Sequence, residues 1–286
     1  MNNIKELIDL VALEKLDELT FKGQNYQAPW NRVFGGQVLS QSLSAATQTV
    51  EPDRVAHSMH AYFLLAGDIS VPIIFEVEKI RDGGSFSTRR VVAKQNGTPI
   101  FFTSISYQIV QEGFDHQIPM PKVEGPEGLP SDEDILKKYK LFVPDHIFQL
   151  VKTRPFEFRM VEKLNIFDRQ TKLPYRHFWF KAREAVDGGP QVHQQLLAYV
   201  SDYNLLTTAT LPHTKGPLPT DLFMASLDHA MWFHRDFKID DWLLYAIDSP
   251  SASNTRGFTR GNIFNQDGVL IASVVQEGLI RPMKKK

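Results

Sequence analysis

The chain has 286 residues, is 42% hydrophobic and 23% charged, and carries a formal net charge of −1 with no cysteine. That length suits one large or two medium domains and buries a sizeable core without covalent staples. Near-neutral charge gives no broad basic field for nucleic acid, and the missing cysteines exclude disulfides, thiolate metal sites and cysteine nucleophiles.

Residues 1–23 read as an amphipathic helix through Ile4, Leu7, Ile8 and Val11. Its acids Glu6, Asp9 and Glu14 argue against a mitochondrial presequence, and it lacks the basic-then-apolar layout of a secretory signal. Residues 35–50 place Val38, Leu39, Ser42, Leu43, Ala45, Ala46 and Thr49 at helical spacing. Past Pro52 the stretch 57–63 is strand-like, and runs 73–80, 87–95 and 100–110 are rich in β-branched and aromatic residues, with a turn at Asn96-Gly97. Pro119, Pro121, Gly125, Pro126, Gly128 and Pro130 then mark a linker. The expected division is a first domain over 1–112, a linker over 113–145 and a second domain over 146–286.

The second domain repeats the order. Strand segments at 156–164 and 177–183 open it, a helix spans 192–206, and strands follow at 225–233, 242–247, 257–265 and 269–279, with a turn at Asp267-Gly268. His229-Ala230 echoes His60-Ala61. A glutamine precedes each turn and an arginine lies six residues earlier; both pairs, Gln95/Gln266 and Arg89/Arg260, are 171 positions apart (266 − 95 and 260 − 89). Element order, turn chemistry and offset together indicate an internal duplication. A long helix packed across a curved antiparallel sheet, twice, is an α+β architecture.

Three polar residues sit in apolar surroundings. Asp202 lies in a stretch apolar nearly all round, with Leu196, Leu197, Tyr199, Val200, Leu205 and Leu206 about it. A carboxylate there is expensive unless hydrogen-bonded or kept for chemistry. Ser226 supplies a hydroxyl at the start of a strand, and Gln276 an amide at the end of another. Each has a plain structural reading: a networked buried acid, a small residue at tight packing, a sheet cap. Residue context alone favours those readings. Other constellations carry less. His57 and His60 are three apart on a strand, which directs them to opposite faces. His229 and His234 match no metal motif and read as hydrogen-bonded or exposed histidines. There is no Gly-x-Ser-x-Gly elbow, dinucleotide fingerprint or P-loop. No apolar run approaches membrane-spanning length, the chain does not end in Ser-Lys-Leu, and its final lysines, 284–286, read as a solvated tail.

Several stretches in order resemble the type II (TesB-like) acyl-CoA thioesterases. They are Val33-Phe34-Gly35-Gly36-Gln37-Val38, His57-Ser58-Met59-His60-Ala61-Tyr62-Phe63-Leu64, Pro99-Ile100-Phe101, Ser201-Asp202-Tyr203-Asn204, Leu227-Asp228-His229-Ala230-Met231-Trp232-Phe233-His234-Arg235, Ser251-Ala252-Ser253, Arg256-Gly257-Phe258 and Val275-Gln276-Glu277-Gly278. The resemblance covers almost the whole chain. It implies a double hot-dog hydrolase of medium- to long-chain acyl-CoA, with a catalytic Asp, Thr or Ser, and Gln falling on Asp202, Ser226 and Gln276. Some members have Thr where this chain has Ser226. With those roles, Asp202 would deprotonate a water that Ser226 and Gln276 orient. Gly35, Gly36 and Gln37, at a helix start, are the expected oxyanion or substrate-binding group, with a tight turn as the alternative use of the glycine pair. Two rivals stand beside this reading: an acyl-thioester hydratase or dehydratase, which would pair an acid with a histidine, and a non-catalytic acyl-CoA-binding protein. No cofactor or metal is implied. The expected partner is acyl-CoA, without nucleic acid or membrane span, in a cytoplasmic homo-oligomer.

Overall fold

The computed structural model describes residues 3–27, 31–163, 165, 167–168, 170–215 and 222–283. The first half runs α1 (Ile4–Val11), β1 (Glu14–Lys15), β2 (Thr20–Gly23), α2 (Gly35–Thr47), β3 (Arg54–Phe63), β4 (Ile73–Asp82), β5 (Phe86–Gln95) and β6 (Thr98–Ile109). Short helices α3 (Asp132–Lys138) and α4 (Asp145–Thr153) follow the proline-rich segment. The second half runs β7 (Phe156–Met160), β8 (Tyr175–Ala182), α5 (Pro190–Ser201), α6 (Leu205–Thr208), β9 (Leu222–Ser226), β10 (Asp228–Phe233), β11 (Leu243–Ser253), β12 (Arg256–Asn265) and β13 (Leu270–Pro282).

All strands join one antiparallel sheet in the order β1-β2-β4-β5-β6-β3-β10-β13-β12-β11-β8-β7, with β9 paired to β13. The order reads the same from either end of the β3–β10 junction, so the two halves are copies joined edge to edge. Alternation explains the strands: in β5, Ser87, Arg89, Val91, Ala93 and Gln95 point inward while Phe86, Thr88, Arg90, Val92 and Lys94 are more open. The inward faces close on α2 and α5, which pack side by side. Across their contact Ser40 Oγ donates to the Gln195 carbonyl at 2.7 Å, and Gln194 Nε2 ties α5 to β3 by donating to the Ala56 carbonyl at 2.8 Å. Leu39, Leu43, Leu196, Leu197, Phe75, Tyr107, Phe158 and Phe180 fill one continuous core.

The duplication differs from its sequence reading in register. Phe75 pairs with Phe21 and Ala93, and Tyr245 with Phe178 and Ile263, an offset of 170 (245 − 75 and 263 − 93). Across the next strand Phe101 corresponds to Ala272, an offset of 171 (272 − 101), because the second turn holds one residue more. Arg260 therefore matches Arg90, which pairs Glu78 as Arg260 pairs Asp248. Arg89 matches Thr259 instead, and the two arginines of the sequence pattern occupy opposite faces, one buried and one exposed. The same slip applies to the histidines. Phe63 pairs with Phe101 as Phe233 pairs with Ala272, an offset of 170 (233 − 63), so Met59 and not His60 is the counterpart of His229.

Several elements depart from their expected bounds. The N-terminal helix stops at Val11, after which residues pair as β1 and β2. The helix over 192–206 breaks after Ser201, where Asn204 takes a left-handed conformation at φ 61°. The strand over 225–233 is divided at Leu227, because Asp228 Oδ1 accepts the Glu277 N–H at 2.6 Å in place of a ladder bond. A bulge between Ala56 and Ser58 overrides the two-residue period that separated His57 from His60. His57 bonds the outward Ser106 hydroxyl at 2.8 Å and His60 stacks edge-on against Trp232, so both lie on the outer face. Leu164, at the end of one expected strand, and lysines 284–286 lie outside the described residues.

The segment after β6 is tied down across the second half. Gln117 Nε2 donates to the Gly268 carbonyl at 2.7 Å, its Oε1 accepts from Leu270 N–H at 3.0 Å, and Trp179 Nε1 donates to the Glu124 carbonyl at 2.9 Å.

Candidate active site

Asp202 follows α5 as its C-cap residue, with backbone still helical at φ −80° and ψ −10°. Its position where the helix ends, rather than inside it, lets the carboxylate cross to the first half. There it meets the first turn of α2: Gly36 N–H donates to Asp202 Oδ2 at 3.1 Å. A helix N-terminus carries unsatisfied amides and positive dipole character, so it is a favourable neighbour for a buried anion.

The glycine pair has a steric reason. Neither glycine has positive φ. A methyl at Gly36 would run into the Tyr199 carbonyl, and one at Gly35 would lie 2.7 Å from Asp202 Oδ2. The pair is required by the close approach of α2 to α5, not by a turn. Gln37 is engaged elsewhere. Its side chain receives the Tyr26 N–H at 3.1 Å and donates to Asn25 Oδ1 at 2.8 Å, anchoring the segment before α2.

Ser226 ends β9 and Gln276 lies in β13, fully buried opposite Thr259. Gln276 Nε2 donates to Asp202 Oδ1 at 2.9 Å and to Ser226 Oγ at 3.1 Å. The break at Leu227 sits beside this group. The three residues singled out in the sequence thus form one hydrogen-bonded cluster, built from α5, β9 and β13 and touched by the first turn of α2.

Burial raises the Asp202 pKa above the ordinary 3.8, while the Gln276 and Gly36 hydrogen bonds pull it down. A carboxylate so placed is a stronger proton acceptor than one in water, yet its two donors keep the ionised form accessible. Asp202 and Ser226 line a cavity of about 400 Å³, whose other walls include Gly35, Val33, Phe63, Leu64, Leu65 and Ile100. On the other side the same two residues line a smaller cavity of about 200 Å³ with Asn204, Thr207 and Met224. No group of three or more His, Asp or Glu residues suited to a metal occurs among the described residues.

One residue next to the cluster was read from the sequence only as a hydrogen-bonded or exposed histidine. His229 is fully buried, with Nε2 3.1 Å from Ser201 Oγ and Nδ1 3.4 Å from Gln276 Nε2. The signal was available: strand alternation puts His229 on the inward face with Met231 and Phe233.

An apolar cavity lined by an acid and a hydroxyl, with a buried amide bonded to both, on a duplicated α+β scaffold, offers the groups that activating a water would require. Comparison with known proteins narrows the class. The family described as Acyl-CoA thioesterase matches residues 149–279, and that described as Acyl-CoA thioesterase N-terminal domain matches residues 26–108. Acyl-CoA thioesterase 2 of Haemophilus influenzae is 42% identical over 280 residues, covering 97% of this chain and 98% of that protein. Human acyl-coenzyme A thioesterase 8 is 41% identical over 284 residues, covering 95% and 88%. The crystal structure of acyl-CoA thioesterase II TesB2 from Mycobacterium marinum superposes with a TM-score of 0.79 at 38% identity, covering 96% of this chain and 98% of that one. The chain belongs to the type II (TesB-like) acyl-CoA thioesterases, and its fold is the double hot-dog.

Proposed function

We propose that this protein hydrolyses medium- to long-chain acyl-CoA by direct attack of water, with Asp202 as general base and Ser226 and Gln276 orienting the nucleophile. The observation that carries the reading is the hydrogen-bonded Asp202–Gln276–Ser226 cluster at the meeting of two cavities. A thioester has two arms, and two cavities joined at the reacting atoms suit it. The larger one has the apolar wall an acyl chain requires; Leu64 and Leu65 lie on it 48% and 58% exposed, which costs free energy unless an apolar ligand covers them. Arg32 at its mouth has its guanidinium 5.9 Å from the Phe223 ring centre, with Arg281 5.3 Å from the same ring, a positive surface for the phosphates of coenzyme A.

The chemistry follows from the residue types. Asp202 takes a proton from water as the water oxygen attacks the thioester carbon. The tetrahedral intermediate collapses by breaking its carbon–sulfur bond, and the departing sulfur takes the proton held by Asp202, which gives coenzyme A thiol and fatty acid and restores the carboxylate. Gly36 N–H is engaged by Asp202, so Gly35 N–H, the first amide of α2, is the nearer donor for the developing oxyanion. Ser226 as nucleophile would need an adjacent base for its proton; its hydrogen-bond partner, the amide nitrogen of Gln276, is a donor. The first half contributes the α2 amides and the second half the three side chains, over the expected domains 1–112 and 146–286. A cytoplasmic homo-oligomer is part of the same proposal and rests on the reading of the sequence.

Thiol release measured across acyl-CoA chain lengths tests the activity. Single turnover in oxygen-18 water with excess enzyme tests the mechanism: direct attack labels the fatty acid in the first turnover. Label in the Asp202 carboxylate, with unlabelled product, would replace it by a mixed anhydride on Asp202.

A further inference from the structure

The two halves provide an internal control for what the fold itself requires. Gln276 pairs with Thr259, and its counterpart Ile105 pairs with Arg89, the counterpart of Thr259. Met59 is the counterpart of His229 and pairs with Ile105. Two neighbouring core positions are therefore methionine and isoleucine in the first half, and histidine and glutamine in the second. All four are buried. The scaffold accepts an apolar pair at this place, so packing does not demand the polar one. Burying two polar side chains where apolar ones fit is unfavourable without a hydrogen-bonding role.

The hydrogen bonds around His229 fix its protonation pattern. Ser201 Oγ donates its single proton to the Ala198 carbonyl at 2.9 Å. It can therefore only accept from His229 Nε2, 3.1 Å away. The Ser201 backbone is itself pinned, since Tyr245 OH donates to its carbonyl at 3.0 Å. The neutral ring then carries its proton on Nε2 and turns the Nδ1 lone pair to Gln276 Nε2 at 3.4 Å. Burial pulls the His229 pKa down to about 3, which keeps the ring neutral.

This acceptor adds to what orients Gln276. Its Oε1 is buried and makes no hydrogen bond among the described residues, so nothing holds the amide from its oxygen side. Its nitrogen has two hydrogens for three acceptors: Asp202 Oδ1, Ser226 Oγ and His229 Nδ1. A flipped amide would set its oxygen against a carboxylate and an imidazole lone pair. Asp202 would also lose one of its two donors, leaving Gly36 N–H.

We propose that His229 is a positioning residue for hydrolysis: held by Ser201 as the Nε2-protonated imidazole, it presents Nδ1 to Gln276 and keeps the amide nitrogen turned to Asp202 and Ser226. This rests on the reading of Asp202 as the base. The other titratable groups facing Asp202 are Tyr199 and Tyr203 from the α5 end and Tyr245 from β11, all pushed up by burial and hence neutral, with Arg154 beyond Tyr203. None of them changes charge as Asp202 ionises.

The test compares His229→Met with His229→Asn. Methionine is what the first half uses at this position, so that variant is compatible with the fold. Asparagine places an oxygen acceptor near the Nδ1 position. If His229 positions Gln276, His229→Met lowers kcat roughly ten- to hundred-fold with little change in KM, the scale of a misplaced reacting group. Its acid-side limb moves to higher pH, because Asp202 loses support for its ionised form. His229→Asn recovers most of kcat and returns the limb. A purely structural role predicts the reverse ranking, with the apolar variant the better enzyme and the more stable protein. Equal or higher kcat in His229→Met than in His229→Asn, with both folded by thermal unfolding, overturns the proposal. Nitrogen-15 spectra of histidine-labelled wild type read the tautomer without substrate: Nε2-protonated and neutral supports it, Nδ1-protonated or cationic overturns it. That spectrum decides the arrangement even if no acyl-CoA is cleaved, so failure of the proposed reaction stays distinguishable.

Discussion

Replacing Asp202 with asparagine separates chemistry from architecture at the centre of the site. The side chain keeps its shape, and its oxygen still accepts one of the two donors, Gln276 Nε2 at 2.9 Å or Gly36 N–H at 3.1 Å. The other donor then faces an amide NH₂. The structural loss is one hydrogen bond to a charged group, about 1.5–3 kcal/mol. Part of this is returned, because a neutral side chain no longer bears the desolvation that raises the Asp202 pKa. The net change in folding stability is therefore about 1–2 kcal/mol. The kinetic loss is larger. General-base catalysis contributes about 10²–10⁴-fold, or roughly 3–5 kcal/mol of barrier. The expected result is a folded Asp202→Asn protein with kcat for thiol release down by about two to four orders of magnitude. Thermal unfolding and a thiol-trapping assay on the same preparation measure both quantities. A folded variant with kcat within a few-fold of wild type would show that the carboxylate only ties α5 to α2.

Ser226→Ala should lower kcat by about ten- to thousand-fold, as for one positioned polar group, while Ser226→Thr stays within a few-fold because the hydroxyl survives; equal damage in both would exclude the hydroxyl. The pH profile of kcat should lose activity on the acid side at a midpoint above 3.8, since activity requires ionised Asp202 and its folded-state pKa lies above that value; a limb at or below 3.8 would contradict burial as the dominant influence. Gly36→Ala should cost about 1–3 kcal/mol of stability in denaturant unfolding, because the added methyl meets the Tyr199 carbonyl, which belongs to a helix backbone and cannot swing aside.

Much of the fold was legible because periodicity and punctuation carry it. The strand over Ser87 to Gln95 and the turns at Asn96-Gly97 and Asp267-Gly268 lie where the sequence placed them. What misled was local: His60-Ala61 and His229-Ala230 look equivalent, but a one-residue difference in register puts one histidine outside and the other in the core. Short-range similarity cannot reveal such a slip, since only pairing across strands fixes which face a residue takes. Breaks at Asp202–Asn204 and Leu227 were equally hidden, because tertiary hydrogen bonds such as Asp228 to Glu277 end those elements. The three cluster residues were individually ambiguous in the sequence, being separated by 24 and 50 positions (226 − 202 and 276 − 226). The resemblance grouped them, and the structure puts them in hydrogen-bond contact.

The duplication also accounts for a single cluster of this kind among the described residues. Each half offers a helix whose end could face the start of the other half's helix, but the polar content is unequal. Where the second half has Thr259, Gln276 and His229, the first has Arg89, Ile105 and Met59. Arg89 occupies its place as a fully buried guanidinium, donating to the Thr49 carbonyl at 2.9 Å and to Asp82 at 2.8 Å. That cation ties α2 to the β4–β5 hairpin, where a neutral threonine stands in the second half. One half therefore commits its interior to holding the scaffold. The other keeps a neutral, donor-rich interior around Asp202. The Gly36–Asp202 bond then makes the site a property of the joined chain, because the anion lies in one copy and its helix amide in the other.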